Sequence, residues 1–112
     1  MQCLAWSPIF EMEHTIGYRS NTTGDLWFVH AQKQQKSDYD AYGVNHISLR
    51  VDFAKDIDTI AKFVTEQGIE LLFDTPKHRP EFSPSESETY YQIMFKTADN
   101  ILFEVVYIGK KE

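Results

Sequence analysis

The sequence predicts an α+β fold, and three observations lead there. From Gly43 to Gly109 the chain reads as one complete strand–helix–strand–strand–strand unit, βαβββ. Its opening and closing strands alternate apolar and polar residues with the period of two that a strand requires. The first 42 residues repeat only part of that plan, so the whole reads as a pair of βαβββ modules whose first is incomplete.

In chain order, Cys3-Leu4-Ala5-Trp6 reads as a helix end or a strand start. Ile9–Ser20 and Leu26–Gln32 read as two strands around the turn Asn21-Thr22-Thr23-Gly24-Asp25. Gly24-Asp25-Leu26-Trp27-Phe28-Val29 echoes the turn and last strand of the second half. Trp6, Trp27 and Phe28 read as core. Gln32 to Tyr42 is a polar linker, which divides the chain into a partial first module over 1–42 and a complete second module over 43–109.

Val44–Val51 is the next strand. Ala54 to Gln67 follows as an amphipathic helix, because Ile57, Ile60, Ala61 and Val64 recur at i, i+3, i+4 and i+7. Asp52 or Lys55-Asp56 opens it with acid near the positive end of the helix dipole. Gly68 closes it as a left-handed C-cap. Ile69–Phe73 reads as a strand, and Asp74 to Glu88 as a polar, proline-bearing loop of about 15 residues, long enough to act as a binding element or lid. Thr89–Lys96 has two faces. Tyr91, Ile93 and Phe95 are wholly apolar, whereas Tyr90, Gln92, Met94 and Lys96 are mixed and suit a pocket wall. Thr97-Ala98-Asp99-Asn100 is a turn leading to the last strand.

Bulk properties exclude several functions. A formal charge of −6 with scattered lysines and arginines argues against a nucleic-acid partner. No apolar run approaches membrane-spanning length, and the N-terminus lacks the pattern of a signal peptide, so a cytoplasmic protein is expected. Cys3 is the only cysteine; it permits no intrachain disulfide and reads as a small apolar residue.

The chemistry rests on two residues. His46 lies on the strand face opposite Ile47, Leu49 and Val51, and Glu104 on the face opposite Ile101, Phe103 and Val105. If the two strands are neighbours, imidazole and carboxylate share one concave surface and can ligate a divalent metal. The competing meanings are a polar residue on an exposed sheet face for His46 and an outward-facing charge for Glu104. His14 reads as part of a solvated strand, sharing a face with Met12. His30 is a lesser cavity candidate. His78 and Arg79 lie in the long loop, within reach of an anionic ligand.

These features together resemble the vicinal oxygen chelate superfamily of glyoxalases, fosfomycin and bleomycin resistance proteins and extradiol dioxygenases. The resemblance covers Gly43–Tyr107 and is carried by Asn45-His46-Ile47-Ser48-Leu49-Arg50-Val51, the helix ending in Gly68, the Arg79-Pro80 loop, the Tyr90-Tyr91 strand and Phe103-Glu104-Val105-Val106. It implies two modules paired into a curved mixed sheet around a cavity. It further implies that His46 and Glu104 ligate a divalent metal (Zn, Ni, Mn or Fe) and that Tyr90, Gln92 and Met94 line the substrate site; Arg79 in the long loop is a further substrate contact, and Glu104 is the alternative base if no metal binds. The reaction would be of lyase, isomerase or dioxygenase type.

Two departures stand out. The turn before the last strand is Thr97-Ala98-Asp99-Asn100 where the family has Asp-Pro-Asp-Gly. A first strand and helix need about 20–25 residues, yet only Met1–Pro8 remain for them, and the family's further metal ligand from that opening strand has no match. The shortfall predicts a homodimer that covers the exposed apolar layer. It also raises two rival functions: a non-catalytic small-molecule-binding protein of the bleomycin-resistance kind, and a truncated remnant without activity.

Overall fold

The computed structural model describes residues 6–20 and 24–112, arranged as two compact units, 1–35 and 36–112. Cys3 and most of the turn at Asn21-Thr22-Thr23 fall outside the described residues. The fold is α+β.

In the first unit β1 (Ser7–Met12), β2 (Thr15–Arg19) and β3 (Asp25–Val29) form an antiparallel meander in that order. The single strand expected over Ile9–Ser20 is therefore two: Met12 pairs with Thr15, and Glu13-His14 make the reversal between them. Gly17 lies between Phe10 and Trp27 in the cross-strand register. A Cβ there would come within 2.8 Å of the Trp27 ring, so the glycine lets the indole lie flat across β2. Phe10 packs on it with ring centroids 5.5 Å apart. Three short strands make too small a layer to enclose such side chains. Trp27 and Phe28, expected in a core, are 46% and 38% exposed on this chain, and Trp6 is half-buried.

The second unit holds the βαβββ order: β4 (Ile47–Arg50), α1 (Ala54–Glu66), β5 (Lys77–His78), β6 (Glu88–Lys96) and β7 (Leu102–Lys110). The sheet runs β4-β7-β6-β5, with β4 parallel to β7 and the remaining pairs antiparallel. One face is the core. Ile57, Ile60, Ala61 and Val64, the stripe the periodicity predicts, are all buried, and Ile93 and Val105 beneath them are fully enclosed. The Phe95 and Phe103 rings stack on this face, 5.9 Å apart. Tyr91 reaches the helix through a 2.6 Å hydrogen bond to Asp58.

The helix ends follow their chemistry. Phe53 is the N-cap residue, and its N–H donates to the Asp56 carboxylate, so Asp56 rather than Asp52 supplies the acid. At the other end Gly68 takes φ +79°, with Gly68 N–H bonded to Thr65 O and Ile69 N–H to Val64 O. This is the paired closure of a Schellman motif.

One expected strand is absent. Ile69–Phe73 reaches the sheet through one backbone bond, from Leu72 N–H to Met94 O, before Phe73 and Asp74 turn left-handed at φ 56° and 63°. Two such residues in succession cannot continue a strand. The edge strand forms instead inside the expected loop, at Lys77–His78, followed by a 3-10 turn over Pro80–Phe82. Among the described residues no helix is long and apolar enough to cross a membrane.

Candidate functional site

Register places the site. Ser48 lies directly beside Glu104 in the parallel β4–β7 pair, and Met94 lies directly opposite Glu104 in the antiparallel β6–β7 pair. Side chains of one parity share a face, so Ser48, Tyr90, Gln92, Met94, Leu102 and Glu104 gather on the side away from α1. Tyr90, Gln92, Met94, Leu102 and Glu104 line a cavity of about 700 Å³ with Asn45, His46, Tyr39, Asp40, Phe73, Arg79, Glu81 and Phe82. His46 and Glu104 are thus brought to one hollow, with His46 Nε2 3.6 Å from Glu104 Oε1.

Glu104 is 3% exposed. A carboxylate so enclosed needs donors, and it has three. Ser48 donates to Oε1 at 2.7 Å, Tyr90 donates to Oε2 at 2.8 Å, and the Gln92 amide also donates to Oε2. Arg79 fixes that last donor. Its Nε–H donates to Gln92 Oε1 at 3.0 Å, leaving the Gln92 NH2 to face Glu104, while Arg79 Nη2 donates to Phe73 O at 2.6 Å. Arg79 therefore lines the cavity and also ties the left-handed turn at Phe73 to the floor. His46, whose side chain is 38% exposed, holds Asn45 Oδ1 through Nδ1 at 2.8 Å.

The walls are aromatic. Tyr39 meets Phe73 edge-on at 6.5 Å, and Phe82 meets Tyr90 edge-on at 5.5 Å. Burial and then the bond to Glu104 push the Tyr90 hydroxyl up to about 12; burial and the bond to Asp58 do the same for Tyr91. Both stay donors across the neutral range. An unfolded tyrosine ionises near 10, so the folded protein holds these two protons more tightly. That stability is complete below about pH 10 and is lost as pH rises through 12. Melting temperature should therefore fall over that window, with a shallower fall in Tyr90→Phe and Tyr91→Phe.

His78 pairs with Thr89 in a separate hollow with Asp58 and Tyr91. His14 sits in the β1–β2 turn rather than a strand, its ring 4.8 Å from that of His30. Ser48, Asn45, Tyr39, Phe73 and Phe82 were not singled out by the sequence. Ser48 alone had a usable signal, two residues beyond His46 and so of the same strand parity in the sequence.

Among the described residues no group of three or more histidine, cysteine, aspartate or glutamate side chains is placed to hold a metal ion. His46 and Glu104 supply two donors where catalytic metal centres commonly have three from protein, and both Glu104 oxygens already accept hydrogen bonds. The described donor set does not by itself make a metal centre.

No protein-family model matches the sequence, and no curated protein matches it. Solved structures do match. The chain is similar to a candidate glyoxalase from Bacillus halodurans, with a TM-score of 0.74 and 16% identity over 95% of this chain and 77% of that one. It is similar to the fosfomycin resistance protein FosX of Listeria monocytogenes, solved with Mn(II) and sulfate, at TM-score 0.63 and 17% identity over 94% and 72%. A glyoxylase/bleomycin resistance protein/dioxygenase domain from Frankia sp. EAN1pec matches at TM-score 0.62 and 18% identity over 96% and 81%. Likeness at these identities is likeness of fold, and the chain carries the fold of the vicinal oxygen chelate superfamily.

Proposed function

We propose that the protein binds a small organic molecule in the cavity between β6, β7 and the Arg79–Phe82 segment, without a resident metal. The observation that carries this reading is the state of Glu104: a buried carboxylate with Ser48, Tyr90 and Gln92 already donating to it, beneath aromatic walls. Such a hollow offers apolar contact plus a few fixed polar groups, the usual make-up of a ligand site. Tyr90, Gln92, Met94 and Arg79 are the contacts, and Glu104 is the polar anchor and the base if chemistry occurs.

A second reading is a metal-dependent lyase, isomerase or dioxygenase with His46 and Glu104 as two of the ligands. It is favoured by their 3.6 Å approach in one cavity and by the Mn(II) in the similar FosX structure. Such a site needs a further ligand from outside the described residues. Elemental analysis of protein purified without chelator, followed by calorimetric titration with Mn(II) and Zn(II), separates the two. Metal-free protein with no tight titration is expected. Stoichiometric metal that is lost in His46→Ala and in Glu104→Ala overturns the first reading in favour of the second.

We also infer a homodimer. Phe10, Met12, Trp27 and Val29 are exposed on the three-stranded sheet, an apolar patch that a second copy of the chain can cover. Sedimentation at micromolar concentration should give twice the mass of the chain; a monomer sinks the inference. A soluble, cytoplasmic role agrees with this reading and is part of the same proposal.

A further inference from the structure

Two side-chain amides in the cavity can be oriented from groups that have only one hydrogen-bonding role. A backbone carbonyl only accepts. Asn45 lies 2.8 Å from Tyr39 O through Nδ2, so its NH2 must face that carbonyl and its Oδ1 must face His46. An amide oxygen likewise only accepts, so the His46 Nδ1 that meets it at 2.8 Å carries a proton. When the imidazole is neutral, the lone pair is then on Nε2. That atom lies 3.6 Å from Glu104 Oε1, which also only accepts.

We propose that Asn45 is a positioning residue that fixes His46 as its Nδ1–H tautomer, and that the cavity thereby presents two facing acceptors, His46 Nε2 and Glu104 Oε1, to an O–H or N–H donor on a flat aromatic ligand. The inference rests on the reading of the cavity as a small-molecule site, and it specifies what that molecule must bring. Ser48, Tyr90 and Gln92 satisfy the sides of Glu104 that face protein, whereas none of them reaches His46 Nε2. A phenolic hydroxyl fits the gap by donating its hydrogen to the nitrogen or the oxygen. Its ring would lie against the Phe82–Tyr90 and Tyr39–Phe73 edges. An ether or a carboxylate offers only lone pairs and meets repulsion from both acceptors.

The first test needs no ligand. In full-length protein carrying 15N-histidine, ring nitrogen shifts at about pH 9, where an ordinary imidazole is neutral, should show His46 as the Nδ1–H tautomer. Asn45→Ala should move it to the commoner Nε2–H form. Asn45→Asp, still an acceptor at that place, should restore the Nδ1–H form, an effect a merely structural residue would not produce. An Nε2–H tautomer in the parent protein, or no change in Asn45→Ala, overturns the proposal.

The second test titrates phenol and anisole, which share a ring and differ in the donor, while following the Met94 methyl resonance. Phenol should bind at least tenfold more tightly than anisole. Equal binding of the two overturns donor recognition and leaves the cavity reading standing. Failure of both to bind, with the tautomer as expected, overturns the ligand class.

Discussion

Glu104→Ala is expected to lower the unfolding free energy by about 2–4 kcal/mol and to abolish ligand binding in the cavity. Two opposing effects decide the sign. Burying a carboxylate costs several kcal/mol, so its removal relieves a penalty. Against that stand three hydrogen bonds to a charged acceptor, each worth about 1.5–3 kcal/mol. They come from Ser48, Tyr90 and Gln92. The two hydroxyls can turn toward water in the cavity, but the Gln92 amide cannot, because Arg79 holds its oxygen. The lost bonds and the void outweigh the relief. Glu104→Gln should cost less, about 1 kcal/mol, since an amide oxygen still accepts from one side. Urea unfolding of the three proteins measures the difference. An alanine variant as stable as the parent would mean that the carboxylate is held against the interests of the fold, purely for chemistry.

How much of this could be read from the sequence depended on range. The helix was legible because its signals are local. Four apolar residues at helical spacing and a glycine at the end specify α1 and its Schellman closure without reference to anything distant. The two faces of β6 were legible for the same reason, and the mixed face became the pocket wall. His46 and Glu104 were individually visible as polar residues set against an apolar alternation. Their meeting required β4 to lie beside β7, a pairing between segments more than fifty positions apart that periodicity cannot supply.

What stayed hidden was set by backbone turns and by contacts across the chain. Ile69-Glu70-Leu71-Leu72-Phe73 has strand-forming residues, yet Phe73 and Asp74 both adopt left-handed angles, and the Arg79 guanidinium clasps the Phe73 carbonyl. An arginine six residues downstream overrides local propensity there. Neither Phe73 nor Asp74 announces that role in the sequence. Likewise Asn45 reads as one more residue of the Val44–Val51 strand, and its function as a hydrogen-bond acceptor for His46 appears only once Tyr39 O is seen to hold its NH2. In the first unit the apolar content of β1 and β3 was correctly seen but wrongly buried. Trp27 and Phe28 have the composition of a core, yet both stay exposed on the three-stranded sheet.

Ile93→Ala should be the most damaging apolar substitution in the second unit, costing about 3–4 kcal/mol. Ile93 is fully buried, directly opposite Val105 in the β6–β7 register and beneath the Ile57–Val64 stripe of α1. Truncation removes three carbons whose transfer from water contributes about 0.8 kcal/mol each. The cavity left between a sheet and a helix closes poorly, which adds the rest. A domain of this size is stable by roughly 5–10 kcal/mol, so the variant should lose roughly a third to four-fifths of its margin. Its urea midpoint should fall steeply at unchanged slope, since the surface exposed on unfolding is nearly the same. The effect extends to the opposite face. Ile93 stands between Gln92 and Met94 on one strand, and Val105 adjoins Glu104 on the next, so the packing of the core face sets the spacing of the groups above it. Phenol affinity measured well below the new midpoint should drop along with stability. If binding is untouched while stability falls, the strands hold their positions through backbone hydrogen bonds alone, and the cavity owes nothing to the core beneath it.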